Sequence, residues 1–413
     1  MAFDDRQSHT ESKDQEPLIG LPALMRMVFE NVDLTPLGMR LLDRVKNHPN
    51  DANAFMDMSI ILQFRGKRDV GIAMQAEALK MQSIYRFPTT GNQSGIRVLA
   101  IMGPGDLMVN TPLEFLLEDS DITLYMVYIK PGQPFPSSLP DHDLVFVAIS
   151  ESDQTHALLQ HVGKLLETWP RKVINLPARI NILSRDSACA LLQNLPGVVM
   201  PITARVYRRT LERIGLTELP ISSILADCKF PVIVRPVDSH AGHGLARLDQ
   251  LADVEGFLST SPEHEFYIAR FVDYSGSDGL FRKCRIVLIK GQPFICHMAV
   301  SPRWMVHYLN ADMMKNAENR AEEARFMASF DDDFARRHAE AFHAINERIG
   351  LDYLGIDCGE TINGQLLIFE VDSNMIVHAM DPIDIFPYKQ PQMRKVFNAF
   401  RQMLINEVKE FQK

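Results

Sequence analysis

The stretch LDYLGIDCGETINGQLLIFEVDSNM, residues 351–375, decides how the C-terminal half of the chain is interpreted. Two runs of β-forming residues joined by the turn 362–364 predict a β-hairpin. Asp357 lies in the first run, and Glu370 and Asp372 lie in the second, where residues two apart face the same side of a strand. Three carboxylates brought to one end of a hairpin repel one another unless a cation neutralises them. Hard oxygen ligands of this kind suit Mg²⁺ held jointly with phosphate groups.

A glycine loop precedes this hairpin in the stretch FPVIVRPVDSHAGHGLARL. The pattern predicts strand–loop–strand, with Gly242 and Gly244 letting backbone amides approach a ligand. Arg235, on the first strand, adds a fixed positive charge. His240 and His243 have a spacing that could seed a metal site, but no further close ligand completes it. Polar loop residues near a phosphate are therefore favoured over a histidine metal site.

Between the glycine loop and the hairpin, the stretch EFYIARFVDYSGSDGLFRKCRIVLI predicts two more strands joined by a polar loop containing Asp273. The second of these strands carries Lys283 and Arg285, which share one face because they are two residues apart. Arg303 follows in a later segment, before the carboxylate hairpin. Basic side chains are thus expected to meet the three carboxylates.

Residues 95–200 change to alternating strands and helices. The apolar runs IRVLAIM, ITLYMVYI, DLVFVAIS and KVINL predict the strands of a parallel, doubly wound α/β domain. The loop GPGD after the first strand invites a dinucleotide-binding interpretation, but it lacks a third glycine, and a structural role is favoured. Asn110 or Thr111 is expected to cap the helix that follows, with Pro112 in its first turn.

Residues 17–90 show helical spacing of apolar residues in four stretches, LPALMRMVFENV, TPLGMRLLDRVKNH, DANAFMDMSIILQFRG and DVGIAMQAEALKMQSIYRF. The segment 48–81 resembles one tetratricopeptide repeat followed by a partial neighbour. A short module of this kind suits docking of a protein partner or self-association into a homo-oligomer. Residues 1–16 are polar and acidic and are expected to form a disordered tail.

Composition limits the class of function. A net charge of −9 and a pI near 5.8 argue against nucleic-acid binding, which needs a concentrated basic face. Five scattered cysteines without a CxxC pair suit reduced thiols, and no apolar run is long enough to span a membrane or serve as a signal. These features predict a cytoplasmic protein with no membrane partner.

The order of these features resembles the ATP-grasp superfamily of carboxylate–amine ligases, which includes glutathione synthetase and D-alanine–D-alanine ligase. The resemblance covers roughly residues 95–390. It implies an α/β fold class, with a pre-ATP-grasp parallel α/β domain at 95–200 and a two-subdomain α+β ATP-grasp domain at 201–413. The all-α tetratricopeptide-like module precedes both.

The resemblance also implies site residues. The ATP-binding residues it implies are Arg235, Ser239, His240, Gly242, Gly244, Ala269, Arg270, Phe271, Val272 and Asp273. Asp357, Glu370 and Asp372 take the place of the metal ligands, and Arg285 and Arg303 are implied as catalytic. The chain departs from the family pattern at two of these positions, having Arg235 where lysine is usual and Asp372 where asparagine is usual.

The implied reaction uses ATP with Mg²⁺, or Mn²⁺ in its place, to join a small-molecule or peptide carboxylate to an amine. An acyl-phosphate forms first, and ADP and phosphate are released. The alternative is a catalytically idle ATP-binding protein whose helical module docks a partner. A phosphotransferase of the same fold is a third interpretation.

Overall fold

The computed structural model describes residues 16–87, 95–226, 228–239 and 242–413. The expected disordered tail lies outside these residues, apart from Glu16. Within the described ranges, no helix combines the length and apolar character needed to cross a membrane.

The described chain contains both helices and strands. The helices are α1 (Leu21–Phe29), α2 (Thr35–Asn47), α3 (Ala52–Phe64), α4 (Arg68–Met81), α5 (Leu113–Leu117), α6 (His156–Leu166), α7 (Pro177–Ile180), α8 (Arg185–Leu192), α9 (Arg208–Gly215), α10 (Asp253–Thr260), α11 (Ala317–Ser329), α12 (Phe334–Arg337), α13 (Ala339–Ile349) and α14 (Lys389–Phe411). The strands are β1 (Ile84–Arg86), β2 (Arg97–Met102), β3 (Thr123–Tyr128), β4 (Leu144–Val147), β5 (Lys172–Ile174), β6 (Val198–Val199), β7 (Thr203–Tyr207), β8 (Val232–Pro236), β9 (Ala246–Leu248), β10 (Glu265–Arg270), β11 (Phe281–Ile289), β12 (Gln292–Ser301), β13 (Tyr353–Glu360) and β14 (Leu366–Asp372).

The first sheet has the order β1-β3-β2-β4-β5, and its last four strands are parallel, as predicted for residues 95–200. The sequence prediction is wrong for residues 84–86, which we expected to end a helix. They form β1, which pairs antiparallel with the edge strand β3. Tyr85 is 1% exposed and packs edge-on against Tyr128, so burial in the sheet outweighs continuation of α4.

The four N-terminal helices form as predicted, and α3 and α4 pack as a hairpin. Asp51 caps α3 by accepting a hydrogen bond from the backbone N–H of Ala54 at 2.9 Å. The two helices come close together at Gly71 of α4, where a Cβ atom would lie 2.8 Å from the carbonyl oxygen of Ser59 on α3. Apolar residues of the hairpin, such as Met56, share a core with the first sheet. The tetratricopeptide identity of the pair stays a prediction.

The second sheet, β7-β10-β8-β9, is antiparallel throughout and has its own apolar core. Val232 and Val234 on β8 point into this core, against α9 and α10. The intervening Ile233 and Arg235 must face the other way because side chains alternate along a strand. This second face forms one side of the candidate site.

The third sheet has the order β12-β11-β13-β14-β6, and its pairs are antiparallel except for β14 with β6. Its buried residues Ile286, Ile356 and Ile368 belong to one core with Leu99 and Val147 of the first sheet. The first and third sheets are therefore packed as one body, and their shared core fixes the strands that carry the carboxylates.

Candidate functional site

A cavity of about 1050 Å³ lies between the second and third sheets. The second sheet contributes Arg235 and Tyr267, and the third contributes Arg285 and Glu370. A segment following β12, which includes Trp304, adds a further wall. The volume is at the upper end of the range of about 300–1000 Å³ found for small-ligand pockets.

Four side chains form a row across the third sheet. Strand register places His297, Arg285, Asp357 and Glu370 on neighbouring strands, in the order β12, β11, β13 and β14. Facing residues on adjacent strands have Cβ atoms about 4.5–5.5 Å apart, so charges in such a row interact directly. The hairpin thus brings Asp357 and Glu370 together, as the sequence predicted.

Asp357 is held by two cations. Its carboxylate accepts hydrogen bonds from Arg285 Nε at 2.8 Å and Nη2 at 3.0 Å, and Lys283 Nζ lies 2.7 Å away. The side chain is 1% exposed. Burial alone would raise the pKa of Asp357, but Arg285 and Lys283 outweigh it and hold the pKa well below its usual range. Asp357 therefore stays ionised.

A β-bulge on β14 aims Glu370 into the cavity. The pairing of β13 with β14 shifts between Asp357 and Cys358, which leaves Phe369 as an extra residue. Leu366 and Ile368 point into the core, and an uninterrupted alternation would send Glu370 there too. The sequence gives no signal for this bulge, although the shared orientation of Glu370 and Asp372 was predicted.

The pKa values of Glu370 and Asp372 are shifted in opposite directions. Burial would raise the pKa of Glu370, but Arg185, which forms an ion pair with it, and Arg235 outweigh burial and lower it. Burial and the neighbouring charge of Glu370 raise the pKa of Asp372 to about 7. In the described chain, no lysine or arginine forms an ion pair with Asp372. Its carboxyl group therefore lies in a negative potential that a cation would relieve.

The residues fit a metal ion that nucleotide phosphates also hold. Among the described residues, no three acidic, histidine or cysteine side chains form a ready-made metal cluster. Mg²⁺ commonly takes only one or two protein carboxylates and completes its shell with phosphates and water. Glu370 and Asp372 supply that number. Asp357, which was also expected to bind metal, is occupied by Lys283 and Arg285.

Arg235 lies on the cavity side of β8 and is anchored by the loop that follows. Its guanidinium donates hydrogen bonds to the carbonyl oxygen of Ser239 and, from Nε at 3.1 Å, to the hydroxyl of Ser239. Burial, and then repulsion from Arg185, lower the pKa of Arg235 to about 9. The group is still charged at neutral pH, because that value lies above 7. Arg185 was missed because nothing in its local sequence marks it.

The two glycines that follow β8 have positive φ angles. Gly242 has φ 75° and Gly244 has φ 65°, and a Cβ on Gly244 would lie 2.7 Å from Pro236 Cγ. Gly242 lines the cavity, whereas Gly244 and Ser239 do not. His240 lies outside the described residues.

Residues 269–272, four of the implied ATP-binding residues, comprise the last two residues of β10 and the two that follow it. The cavity lining includes four consecutive predicted residues, Ala269, Arg270, Phe271 and Val272. Phe271 packs edge-on against Trp304 and carries the Arg247 guanidinium 4.6 Å above its ring. These contacts leave a mostly apolar slot between the two sheets.

Besides Ser239 and Gly244, two further predicted residues are not brought to the cavity. Asp273 is exposed, and its carboxylate accepts a hydrogen bond from the backbone N–H of Ser275 at 2.9 Å. Arg303 is exposed, and its backbone N–H donates to the Ser301 hydroxyl at 3.1 Å. Neither Asp273 nor Arg303 contributes to the cavity lining in this conformation, so both roles stay predictions.

The glycine loop after β2 does not offer its amides to a ligand. Gly105 N–H donates to Gln75 Oε1 at 2.7 Å, and Leu107 N–H donates to Gln63 Oε1 at 3.0 Å. Both glutamines belong to the N-terminal helices. These hydrogen bonds disfavour the dinucleotide-binding interpretation. They support the structural role that we favoured, because they join the loop to the N-terminal helices.

The expectation that Asn110 or Thr111 caps α5 is wrong. Pro112 occupies the cap position, while the Asn110 side chain bonds both the N–H and the carbonyl of Gly103. The Thr111 hydroxyl donates instead to the carbonyl oxygen of Ser373 at 2.9 Å. Thr111 thereby ties the first domain to the end of β14, next to Asp372, a long-range contact that no local pattern signals.

The charge of the cavity contrasts with that of the whole chain. Counted over the described residues, seven cationic side chains and five carboxylates line it, and the chain as a whole carries a formal charge of −9. The cationic side chains are Arg185, Arg235, Arg270, Lys283, Arg285, Lys315 and Lys389, and the carboxylates are Asp312, Asp357, Glu370, Asp372 and Asp381. A concentration of positive charge in an acidic protein marks a site for an anionic ligand.

No protein-family model matches the sequence, and no curated protein is significantly similar to it. Solved structures of ATP-grasp ligases do resemble the chain. A RimK domain protein ATP-grasp from Sphaerobacter thermophilus DSM 20745 has a TM-score of 0.44 and 13% identity, covering 75% of this chain and 99% of that chain. The VanG D-Ala:D-Ser ligase of Enterococcus faecalis has a TM-score of 0.44 and 13% identity, covering 76% and 100%.

The D-alanine–D-alanine ligase of Bacillus anthracis, in a structure complexed with ATP, has a TM-score of 0.44 and 11% identity, covering 76% of this chain and 99% of that chain. The proposals below rest on the cavity and its residues.

Proposed function

We propose that this protein is an ATP- and Mg²⁺-dependent carboxylate–amine ligase that releases ADP and phosphate. The observation that carries the proposal is the cationic cavity between the second and third sheets, with Glu370 and Asp372 aimed into it. The substrates proposed are a small-molecule or peptide carboxylate and an amine. The match of the sequence motifs to the ATP-grasp pattern supports the same assignment.

ATP takes its place between the two sheets in this proposal. The adenine enters the slot formed by residues 269–272, and the phosphates lie between Arg235 and the loop that contains Gly242. Glu370 and Asp372 hold Mg²⁺ together with the phosphates. When bound, Mg²⁺ neutralises negative charge on the transferring phosphoryl group.

The reaction has two steps. A carboxylate oxygen of the first substrate forms a bond to the γ-phosphorus of ATP, and the bond from that phosphorus to the ADP oxygen breaks. The amine nitrogen then attacks the acyl carbon, the C–O bond breaks to release phosphate, and the released phosphate takes up the proton that the nitrogen loses. Lys283 and Arg285 face the developing negative charge, and Asp357 fixes both of them. The protein contributes positioning and electrostatics, and no side chain acts as a nucleophile.

The first test is ADP and phosphate release with Mg²⁺ and ATP against a panel of amino acids and peptides. Replacing Glu370 with Gln removes one charge while keeping the shape of the side chain, so turnover should fall by a factor of at least about 100. Circular dichroism checks that the variant stays folded. Normal turnover in Glu370→Gln would refute the metal assignment.

A catalytically idle ATP-binding protein is the second candidate, and one observation favours it. Asp357 and Glu370 already have cationic partners, which compete with a metal ion for their oxygens. Tight binding of ATP without stimulation of ADP release by any acid and amine mixture would favour this candidate over the ligase.

A further inference from the structure

Helix α1 forms a wall of the cavity. Its residues Met25, Val28 and Phe29 line the space between the sheets, although the helix belongs to the N-terminal helical region. The guanidinium of Arg26 makes two hydrogen bonds to the Glu118 carboxylate, at 2.9 and 2.8 Å, which fasten α1 to the segment after α5. The wall is therefore fixed and apolar.

His378 lies beside this wall and offers a hydrogen-bond donor. Its ring is 4.9 Å from the Phe29 ring and 6.2 Å from the Phe115 ring, and it lines the cavity. The backbone N–H of Met380 donates to His378 Nδ1 at 3.2 Å, so the neutral ring carries its proton on Nε2. In the described chain, Nε2 has no hydrogen-bond partner. Burial lowers the pKa of His378 to about 4, so the ring is neutral at physiological pH.

This corner is separate from the part of the cavity assigned to ATP. The proposed nucleotide contacts come from β8, β10 and β14, whereas the apolar wall comes from α1 and the segment after β14. A volume of about 1050 Å³ is at the upper end of the usual range for one ligand, which leaves room for a second. The second ligand meets the apolar side chains of α1 and the neutral donor of His378, near the ion pair of Lys389 with Asp381.

We infer that α1 and His378 form the subsite for an amino-acid substrate, free or at a peptide end, whose side chain is apolar. Met25, Val28 and Phe29 contact that side chain, and His378 Nε2–H donates to the carbonyl or carboxylate oxygen of the same residue. The inference rests on the proposed function, because it names the substrate class of the same site. It gives the N-terminal helices a role in substrate selection.

The test is calorimetric titration of the full chain, with and without Mg²⁺ and the ATP analogue AMP-PNP. The probes are L-phenylalanine, L-leucine, L-serine and L-glutamate. We expect L-phenylalanine and L-leucine to bind at least about ten times more tightly than the other two, since burying a large apolar side chain is sufficient for that ratio.

Two variants of similar exposure separate the subsite from general effects on the helical region. Val28 is 39% exposed and lines the cavity, whereas Val32 is 48% exposed and does not line it. Val28→Asp should remove the preference for apolar probes, while Val32→Asp should keep it. His378→Phe should weaken the binding of all four probes by a similar factor of about ten, because the oxygen that His378 would contact is common to them.

Equal binding of polar and apolar probes overturns the inference, as does equal behaviour of the two valine variants. Absence of probe binding while AMP-PNP still binds overturns the inference and leaves the proposed function intact. Absence of AMP-PNP binding overturns the proposed function, and this subsite with it.

Discussion

At the scale of single residues, the candidate site depends on how each carboxylate is compensated. Asp357 is saturated by Lys283 and Arg285, Glu370 is paired with Arg185, and Asp372 is buried next to another acid. The sequence identified the three acids and Arg285, because their types and strand spacing are visible locally. It did not identify Arg185, because that residue is 185 positions from Glu370 and meets it only in the folded chain.

Arg235 is the residue that departs most from the expected pattern, and its replacement tests the phosphate assignment. Arg235→Met should weaken ATP binding by a factor of at least about ten, since a charge-assisted hydrogen bond to phosphate is lost. Fluorescence or calorimetric titration with ATP measures the change. Arg213→Met, on α9 of the same subdomain and 49% exposed, is the matched control and should bind ATP normally. Equal affinity in the two variants would place the phosphates elsewhere.

Glu114 predicts a pH dependence of stability. It lies buried on α5, its Oε2 atom has no hydrogen-bond partner among the described residues, and burial raises its pKa to about 7. The folded state therefore binds a proton more tightly than the unfolded state does. This contribution to stability is complete below about pH 4.5 and is lost as the pH rises through 7, by about 3 kcal/mol in total.

Glu114→Gln should consequently unfold at a higher temperature than the parent at pH 8 and show little difference at pH 4.5. Thermal unfolding followed by circular dichroism at both pH values measures the effect. The exposed Glu340→Gln on α13 is the control, for which no change is expected. A stabilisation of Glu114→Gln that is the same at both pH values would contradict the assigned protonation.

At the scale of elements, local patterns predicted strands and hairpins well and predicted their ends and irregularities poorly. The alternation on β8 and the turn between β13 and β14 are properties of neighbouring residues, so the sequence shows them. Strand β1 forms because the edge of the first sheet accepts residues 84–86, and the bulge forms because β14 must serve both a core and a cavity. Both depend on partners distant in sequence.

At the scale of the whole molecule, the cores divide the chain unevenly. The first and third sheets share their cores, whereas the second sheet packs with α9 and α10 around a core of its own. The second sheet is thus the unit best able to move relative to the rest. The sequence predicted two subdomains by resemblance, but it did not predict that one of them would share its core with the first domain.

Hydrogen exchange tests whether the second sheet moves separately from the first and third sheets. Adding Mg²⁺ and AMP-PNP should slow exchange most strongly in β8, β10 and the loop that follows β8, because a ligand between the sheets restrains the less anchored unit. The α3–α4 hairpin, which does not line the cavity, should change little. Equal slowing in both regions would argue against the ligand binding between the two sheets.

The bulge at Phe369 has a consequence for changes in chain length. Since Phe369 is surplus to the pairing with β13, an in-frame deletion of its codon leaves Glu370 opposite Asp357. It removes a cavity-lining ring that packs 4.8 Å from Tyr274 and a carbonyl oxygen that accepts a hydrogen bond from Arg185 at 3.3 Å. Deletion of the Val371 codon instead reverses the side of the strand from which Asp372 projects relative to Glu370. The two codons lie only two positions apart, yet only loss of the first keeps Glu370 and Asp372 projecting from the same side of β14.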